Sequence, residues 1–144
     1  VLGERDYASR SLVKKAKSAL VITLRGQSKE QPIYAGDVVE SIVRLMESET
    51  TEILELAGPE SLSRSSLIRR MSIITVTNPR IVSVPLQFGL VLAGLMEKLW
   101  SKPPVTRDML MILDHDDEID VSTLVRKLGI TLTPLDMMLE KVAL

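Results

Sequence analysis

QPIYAGDVVESIVRLMESETTEILELAGPESLSRSSLIRRM, residues 31–71, fits an extended segment, a helix, a strand and a second helix into one run with almost no slack. Pro32 biases Gln31 away from helical geometry. From Asp37 to Glu47 the apolar residues Val38, Val39, Ile42, Val43, Leu45 and Met46 recur at helical spacing, which predicts an inward face with Glu40, Ser41, Arg44 and Glu47 outside. Asp37 and Glu40 form the D-x-x-E pattern of a capping box, so the Asp37 carboxylate is expected to start the helix. Catalysis is the alternative for an acid placed directly after a glycine. TEILELAG (51–58) alternates like a strand, and Gly58-Pro59 signals a turn. Ser63 is expected to cap a helix running to about Ile74, with Leu67, Ile68, Met71 and Ile74 inward.

Working outward, SRSLVKKAK (9–17) predicts a short basic helix, ALVITLRG (19–26) a strand ended by Gly26, and RIVSV (80–84) another strand. PLQFGLVLAGLMEKLW (85–100) predicts a helix, apolar on every side from Phe88 to Met96. Such a helix needs cover, expected on one flank from the strands near 51–56 and 80–84, with Gly89 and Gly94 allowing close approach. It is too short to span a bilayer, which takes about 20 residues. Lys102-Pro103-Pro104 stops it. Thr106 is expected to cap RDMLMIL, Ser122 to cap TLVRKL, and Gly129 to close that helix. Thr133-Pro134-Leu135-Asp136 reads as cap, proline and first-turn acid of a last helix. The expected fold class is α/β, an α+β-like fragment, mostly helical with a few short strands. An α/β part (1–101) precedes a helical tail (102–144).

The chain has 144 residues, no cysteine and a formal net charge of -1. No global field draws it to nucleic acid, and the absence of thiols fits a reducing, cytoplasmic setting. Aromatic residues are only Tyr7, Tyr34, Phe88 and Trp100, so stacking platforms for single-stranded nucleic acid are nearly absent. The first residues lack the apolar run of a signal peptide. The start on Val1 reads as a cut within a longer protein, with tag removal as the alternative.

The sequence carries no recognisable catalytic motif. The glycines stand at 3, 26, 36, 58, 89, 94 and 129, no two of them three apart, so a dinucleotide fingerprint is absent. A Tyr-x-x-x-Lys pair fails because Ser11 follows Tyr7 and Val38 follows Tyr34 at that spacing. In DHDDEID (114–120) His115 lies among four acids, but an EF-hand-like loop would need glycine and glutamate where Ile119 and Val125 stand. The expectation is a solvated acidic loop and no metal. No serine has nucleophile-elbow context.

With these pieces in hand, VLGERD (1–6), QPIYAGDVVESIVRLME (31–47), EILELAGPESLSRSSLIRRM (52–71) and PPVTRDMLMILDHDDEID (103–120) together resemble the C-terminal half of extended short-chain dehydrogenase/reductase proteins. These form the NAD-dependent epimerase/dehydratase superfamily of nucleoside-diphosphate-sugar epimerases. The resemblance leans to the atypical branch that contains the dehydrogenase-like accessory subunit of respiratory complex I. It covers most of residues 1–143. The resemblance implies a substrate-side part of an NAD(P)-binding, Rossmann-like protein, whose glycine-rich loop and Tyr/Lys pair would sit on an absent N-terminal Rossmann domain. It implies NAD or NADP for the intact parent and no cofactor in this chain. Catalytic and cofactor-binding residues are none, and the chain alone is not expected to be an enzyme. Partners would be that Rossmann domain and a nucleotide-sugar-like small molecule. The alternative is a non-catalytic assembly module contacting protein or lipid. Exposed apolar surface would favour a homo-oligomer or peripheral lipid contact. Substrate-pocket candidates are Arg25, Gln31, Tyr34 and Arg107. Packing or surface placement is the competing reading for each, and Arg107 opposes its helix dipole, which suggests a reason outside the helix.

Overall fold

The computed structural model describes residues 1–48, 52–100, 103–111, 116 and 118–144. Helix α1 spans Tyr7–Ala16, β1 Leu20–Leu24, β2 Lys29–Glu30 and α2 Ala35–Glu47. Next come β3 Leu62–Ser63, α3 Arg64–Ile74, β4 Arg80–Val84 and α4 Leu86–Leu99. Helices α5 Arg107–Met111, α6 Ser122–Leu128 and α7 Leu135–Ala143 end the chain. The β1 and β4 strands pair in parallel, from Leu20 opposite Arg80 to Leu24 opposite Val84. A parallel pair needs a crossover, and β2-α2-β3-α3 supplies it. The antiparallel β2–β3 pair forms a second two-stranded sheet.

One core joins α1, α3 and α7 beneath the covered face of β1, where Val21 points inward. Ile68, Met71, Met138 and Leu139 are almost wholly enclosed there. A second cluster gathers Ile33, Leu124, Leu128, Ile130 and Leu132 with Val38 and Leu45 of α2. A third holds Leu86 and Ala93 of α4 against Leu24 and Leu110.

Most helix starts and stops follow from local chemistry. Asp6 caps α1 by accepting from the Ser9 N–H at 2.6 Å, and Ser63 caps α3 by accepting from Ser66 N–H at 3.1 Å. Thr106 Oγ1 accepts from Met109 N–H at 3.2 Å, capping α5. Gly129 closes α6 at φ 62°, a left-handed conformation that glycine adopts without steric cost.

Several expectations are corrected. Residues 53–57 form no strand, because none of their main-chain groups bonds to another strand among the described residues. Leu54 and Leu56 nonetheless pack on the second cluster. Helix α2 is rotated relative to the periodicity: Val38 and Leu45 pack on the second cluster and Glu40, Arg44 and Glu47 stay exposed as expected, but Ser41 is buried. Its buried residues are Asp37 and Ser41, while Val39, Ile42, Val43 and Met46 face water. The capping box is not made: Tyr34 is the N-cap residue of α2, Asp37 lies in the first turn, and Glu40 is 4.0 Å from Arg44 instead. Ser122 is the first residue of α6, not its cap; its N–H and hydroxyl donate to Asp120 at 2.9 and 3.0 Å. Pro134 occupies the N-cap position of α7, one residue after Thr133. The cluster under α4 contains no residue of 51–56 or β4; Leu24 and α5 provide its cover.

Candidate functional site

Strands of a parallel sheet present their carboxyl ends as a natural crevice, because the chain leaves the sheet there in diverging directions. In this protein the crevice is a cleft of about 340 Å³ at the ends of β1 and β4. Arg25, Gln27 and Ser28 line one side, Ser83, Val84 and Pro85 the other, and Asp116 closes the rim.

The turn after β1 is built tightly. Arg25 has φ 45°, a left-handed conformation that disfavours a residue with a Cβ. Its N–H donates to Val84 O at 2.9 Å, and Ser28 N–H donates to Arg25 O at 2.8 Å. Gly26 N–H donates to Ser83 Oγ at 2.9 Å, and Ser65 N–H at the start of α3 donates to Gly26 O at 2.9 Å. An added Cβ at Gly26 would press on the Ser65 and Ser83 hydroxyls, so glycine is required for the approach of α3 and β4.

Asp116 reaches this turn from the acidic loop. It accepts from Lys29 N–H at 3.0 Å and lies 3.6 Å from an Arg25 guanidinium nitrogen. The Lys29 N–H, then the Ser28 hydroxyl, hold its carboxyl below the usual carboxylate value, with the Arg25 and Lys29 charges assisting against desolvation. Lys29 Nζ also meets Glu118 at 2.5 Å. The described part of the loop is therefore tethered rather than simply solvated. His115, Asp114 and Asp117 lie outside the described residues. Among the described residues no cluster of three metal-ligating side chains occurs.

Of the four sequence-selected residues, Arg25 lines the cleft. Gln31 holds its surroundings: its amide nitrogen donates to Gly58 O and Ile119 O at 2.8 and 2.9 Å, and its amide oxygen accepts from Ile119 N–H at 2.7 Å. It anchors the end of the loop that carries Asp116, and both its donors are engaged. Tyr34 does not line that cleft. Its hydroxyl donates to Glu4 at 3.3 Å, and Lys141 Nζ stands 4.4 Å from its ring centroid. Desolvation, with the Glu4 charge, raises its pKa above the ordinary phenol value. Arg107 sits on α5 against α4, its guanidinium occupying the space that a Cβ on Gly94 would need. Its N–H donates to Glu97 at 2.7 Å, and its Nε is 3.8 Å from the same carboxylate. Helix–helix packing accounts for its position against the dipole. Ser28, Ser83 and Asp116 were not singled out in the sequence. The usable signal was that a residue near the end of a parallel strand faces the crevice.

A dinucleotide cofactor does not fit this cleft. Pyrophosphate needs several unpartnered N–H groups on a close-approaching backbone, whereas those of Arg25, Gly26, Ser28 and Lys29 are all engaged within the protein. The arrangement can instead offer the Arg25 guanidinium and hydroxyl and amide side chains to a polar ligand.

No protein-family model and no curated protein matches the chain. Among solved structures it is similar to gox2253, with a TM-score of 0.75 and 19% identity, over 98% of this chain and 44% of that one. It is also similar to the Citrobacter sp. triphenylmethane reductase studied for bioremediation of triphenylmethane dyes, with a TM-score of 0.68 and 14% identity, over 92% of this chain and 47% of that one. At these identities the likeness is one of fold, an α/β fragment spanning less than half of either neighbour. No helix among the described residues is long and apolar enough to cross a membrane.

Proposed function

We propose that the chain is the substrate-side part of an NAD(P)-dependent reductase- or epimerase-like protein, working against a nucleotide-binding domain that carries the cofactor and catalytic groups. The observation that carries this reading is the superposition of nearly the whole chain on less than half of a reductase. Two surfaces support the partner. Residues 53–57 pack through Leu54 and Leu56 on the second cluster, yet have no main-chain partner among the described residues, as a strand would be without its sheet. Beside that contact, α2 continues its apolar face into Val39, Ile42, Val43 and Met46, which are exposed. A sheet domain would satisfy both. In this reading the cleft at Arg25 faces a small polar group, such as the sugar end of a nucleotide-sugar-like substrate whose diphosphate lies outside the cleft, and NAD or NADP is held by the partner domain.

Titration of the isolated chain with NADH, followed by nicotinamide fluorescence, tests the division of labour. The expected result is no saturable signal; micromolar binding would overturn it.

One observation favours a second reading, a non-catalytic module contacting protein or lipid. Helix α4 exposes Phe88, Val91, Leu92, Leu95 and Leu99 in one row. Flotation with lipid vesicles that is lost in Leu92→Lys would favour it.

A further inference from the structure

Two adjoining clefts share Lys15, Glu30 and Arg64. One, of about 260 Å³, is floored by Leu2, Leu12, Leu67 and Ile68, between α1 and α3. The other, of about 380 Å³, runs along Ile22 to Leu24 of β1. We propose that together they bind a small amphiphilic carboxylate, an acyl anion with its tail in the α1–α3 groove and its head at Lys15 and Arg64.

The polar end is built and partly uncommitted. Arg64 Nε meets Glu30 at 2.5 Å and its Nη1 donates to Leu24 O at 2.8 Å, so the guanidinium is fixed in place. Its Nη2 has no partner among the described residues, although the side chain is only 14% exposed. No buried side-chain nitrogen or oxygen there lacks a partner, so Nη2 is reached by solvent. Lys15 makes no ion pair with a described residue and lines both clefts. Two cations and one carboxylate leave one positive charge. That balance matches a monoanionic carboxylate, whereas a phosphate dianion would exceed it and meet Glu30. A guanidinium held by two other groups loses little freedom on accepting a carboxylate oxygen. Tyr7 and Ala8, exposed on the groove wall above that closed floor, offer the apolar surface that the tail covers. Every residue in this argument belongs to the chain itself, so the assignment is tested without the nucleotide-binding partner.

Isothermal titration of the intact chain with decanoate, decanol and anionic phospholipid vesicles tests the assignment. Decanoate should bind saturably at one site and decanol clearly more weakly. Lys15→Glu should weaken decanoate at least about tenfold, as expected for losing a charged hydrogen bond. Ala8→Trp, at an exposed position on the groove wall, should block the tail and abolish binding. Both variants are placed on the exposed side of α1, and unchanged thermal melting confirms their fold; if Ala8→Trp melts early, Lys15→Glu decides. Equal binding of decanoate and decanol, insensitivity to Lys15→Glu, binding to vesicles only, or no binding would each overturn the proposal. None of these results depends on NADH, so its failure is separable from that of the functional reading.

Discussion

Helices α1, α3 and α7 enclose their apolar faces, whereas α2 and α4 leave theirs in water. In the first group Met71, Met138 and Leu139 have no measurable exposure. In the second, Met46 is 82% exposed and Phe88 68%. Both groups show helical apolar periodicity, so periodicity reports that a face exists and not what covers it. Three helices around one cluster give each face two neighbours. Helix α2 meets α6 on one side only, and α4 meets α5 and the end of β1.

The largest contrast should appear on truncation. Met138→Ala or Leu139→Ala removes side-chain volume from a closed core and should cost about 2–5 kcal/mol. Val43→Ala or Met46→Ala should change stability by less than about 0.5 kcal/mol, as surface substitutions do. Urea unfolding of the four variants measures this directly. Similar losses in both groups would mean that α2 is covered in solution, by another copy or by rearrangement.

Asp37 joins the two regions and should give the next effect. It is 6% exposed, and its two oxygens accept from Thr133 N–H and Thr133 Oγ1, each at 2.7 Å. It therefore secures the approach to α7 from the first turn of α2. Asp37→Ala should cost about 1.5–3 kcal/mol, because a charged acceptor is lost and the Thr133 N–H is left without it. Asparagine should recover part, with its oxygen accepting from the N–H and its amide donating to the hydroxyl. Serine is too short to span the gap and should recover little. A double-mutant cycle with Thr133→Val should show coupling of at least about 0.5 kcal/mol. Full rescue by serine would restore the simple helix-cap role.

This residue also shows how far the sequence could be read. The D-x-x-E spacing marked Asp37 as structural, but a bond to a residue 96 positions away has no local signature. Strand β4 was legible to the residue, since RIVSV pairs through every position. TEILELAG had the same alternation and failed for want of a pairing strand among the described residues, since a strand is completed by its neighbour. At the site, Arg25 was found by its place after β1. Asp116 was missed because a lone member of an acidic run does not disclose which cation it meets.

The α4 row should influence association more than folding. Leu92→Lys and Leu95→Lys replace exposed residues, so the cost in stability should stay within about 0.5 kcal/mol. The parent chain is expected to self-associate through such apolar surface at low micromolar concentration, and the double variant to be more nearly monomeric. Light scattering at matched concentration reads this. A monomeric parent that binds no hydrophobic dye would show that the row is tolerated in water.

The smallest effect concerns pH, and it belongs to the closed region. At Asp6 burial alone would raise the carboxyl pKa, but the Ser9 N–H and hydroxyl with the Gly3 N–H together outweigh it, so the pKa is lowered. Asp116 and Asp120 are lowered too, the latter by the Ser122 N–H and hydroxyl. A carboxylate whose folded pKa is depressed adds stability that is complete above its unfolded pKa and is lost as pH falls through the folded one. Stability should thus be flat down to about pH 5 and decline below the ordinary carboxylate range. Asp6→Asn separates capping from titration. Asparagine caps α1 about as well as aspartate, so stability at neutral pH should change little. It cannot take up a proton, so the acid limb of the melting curve should become shallower. An acid limb identical to that of the parent would remove Asp6 from the titrating groups and leave the decline to the two acids near the open cleft and α6.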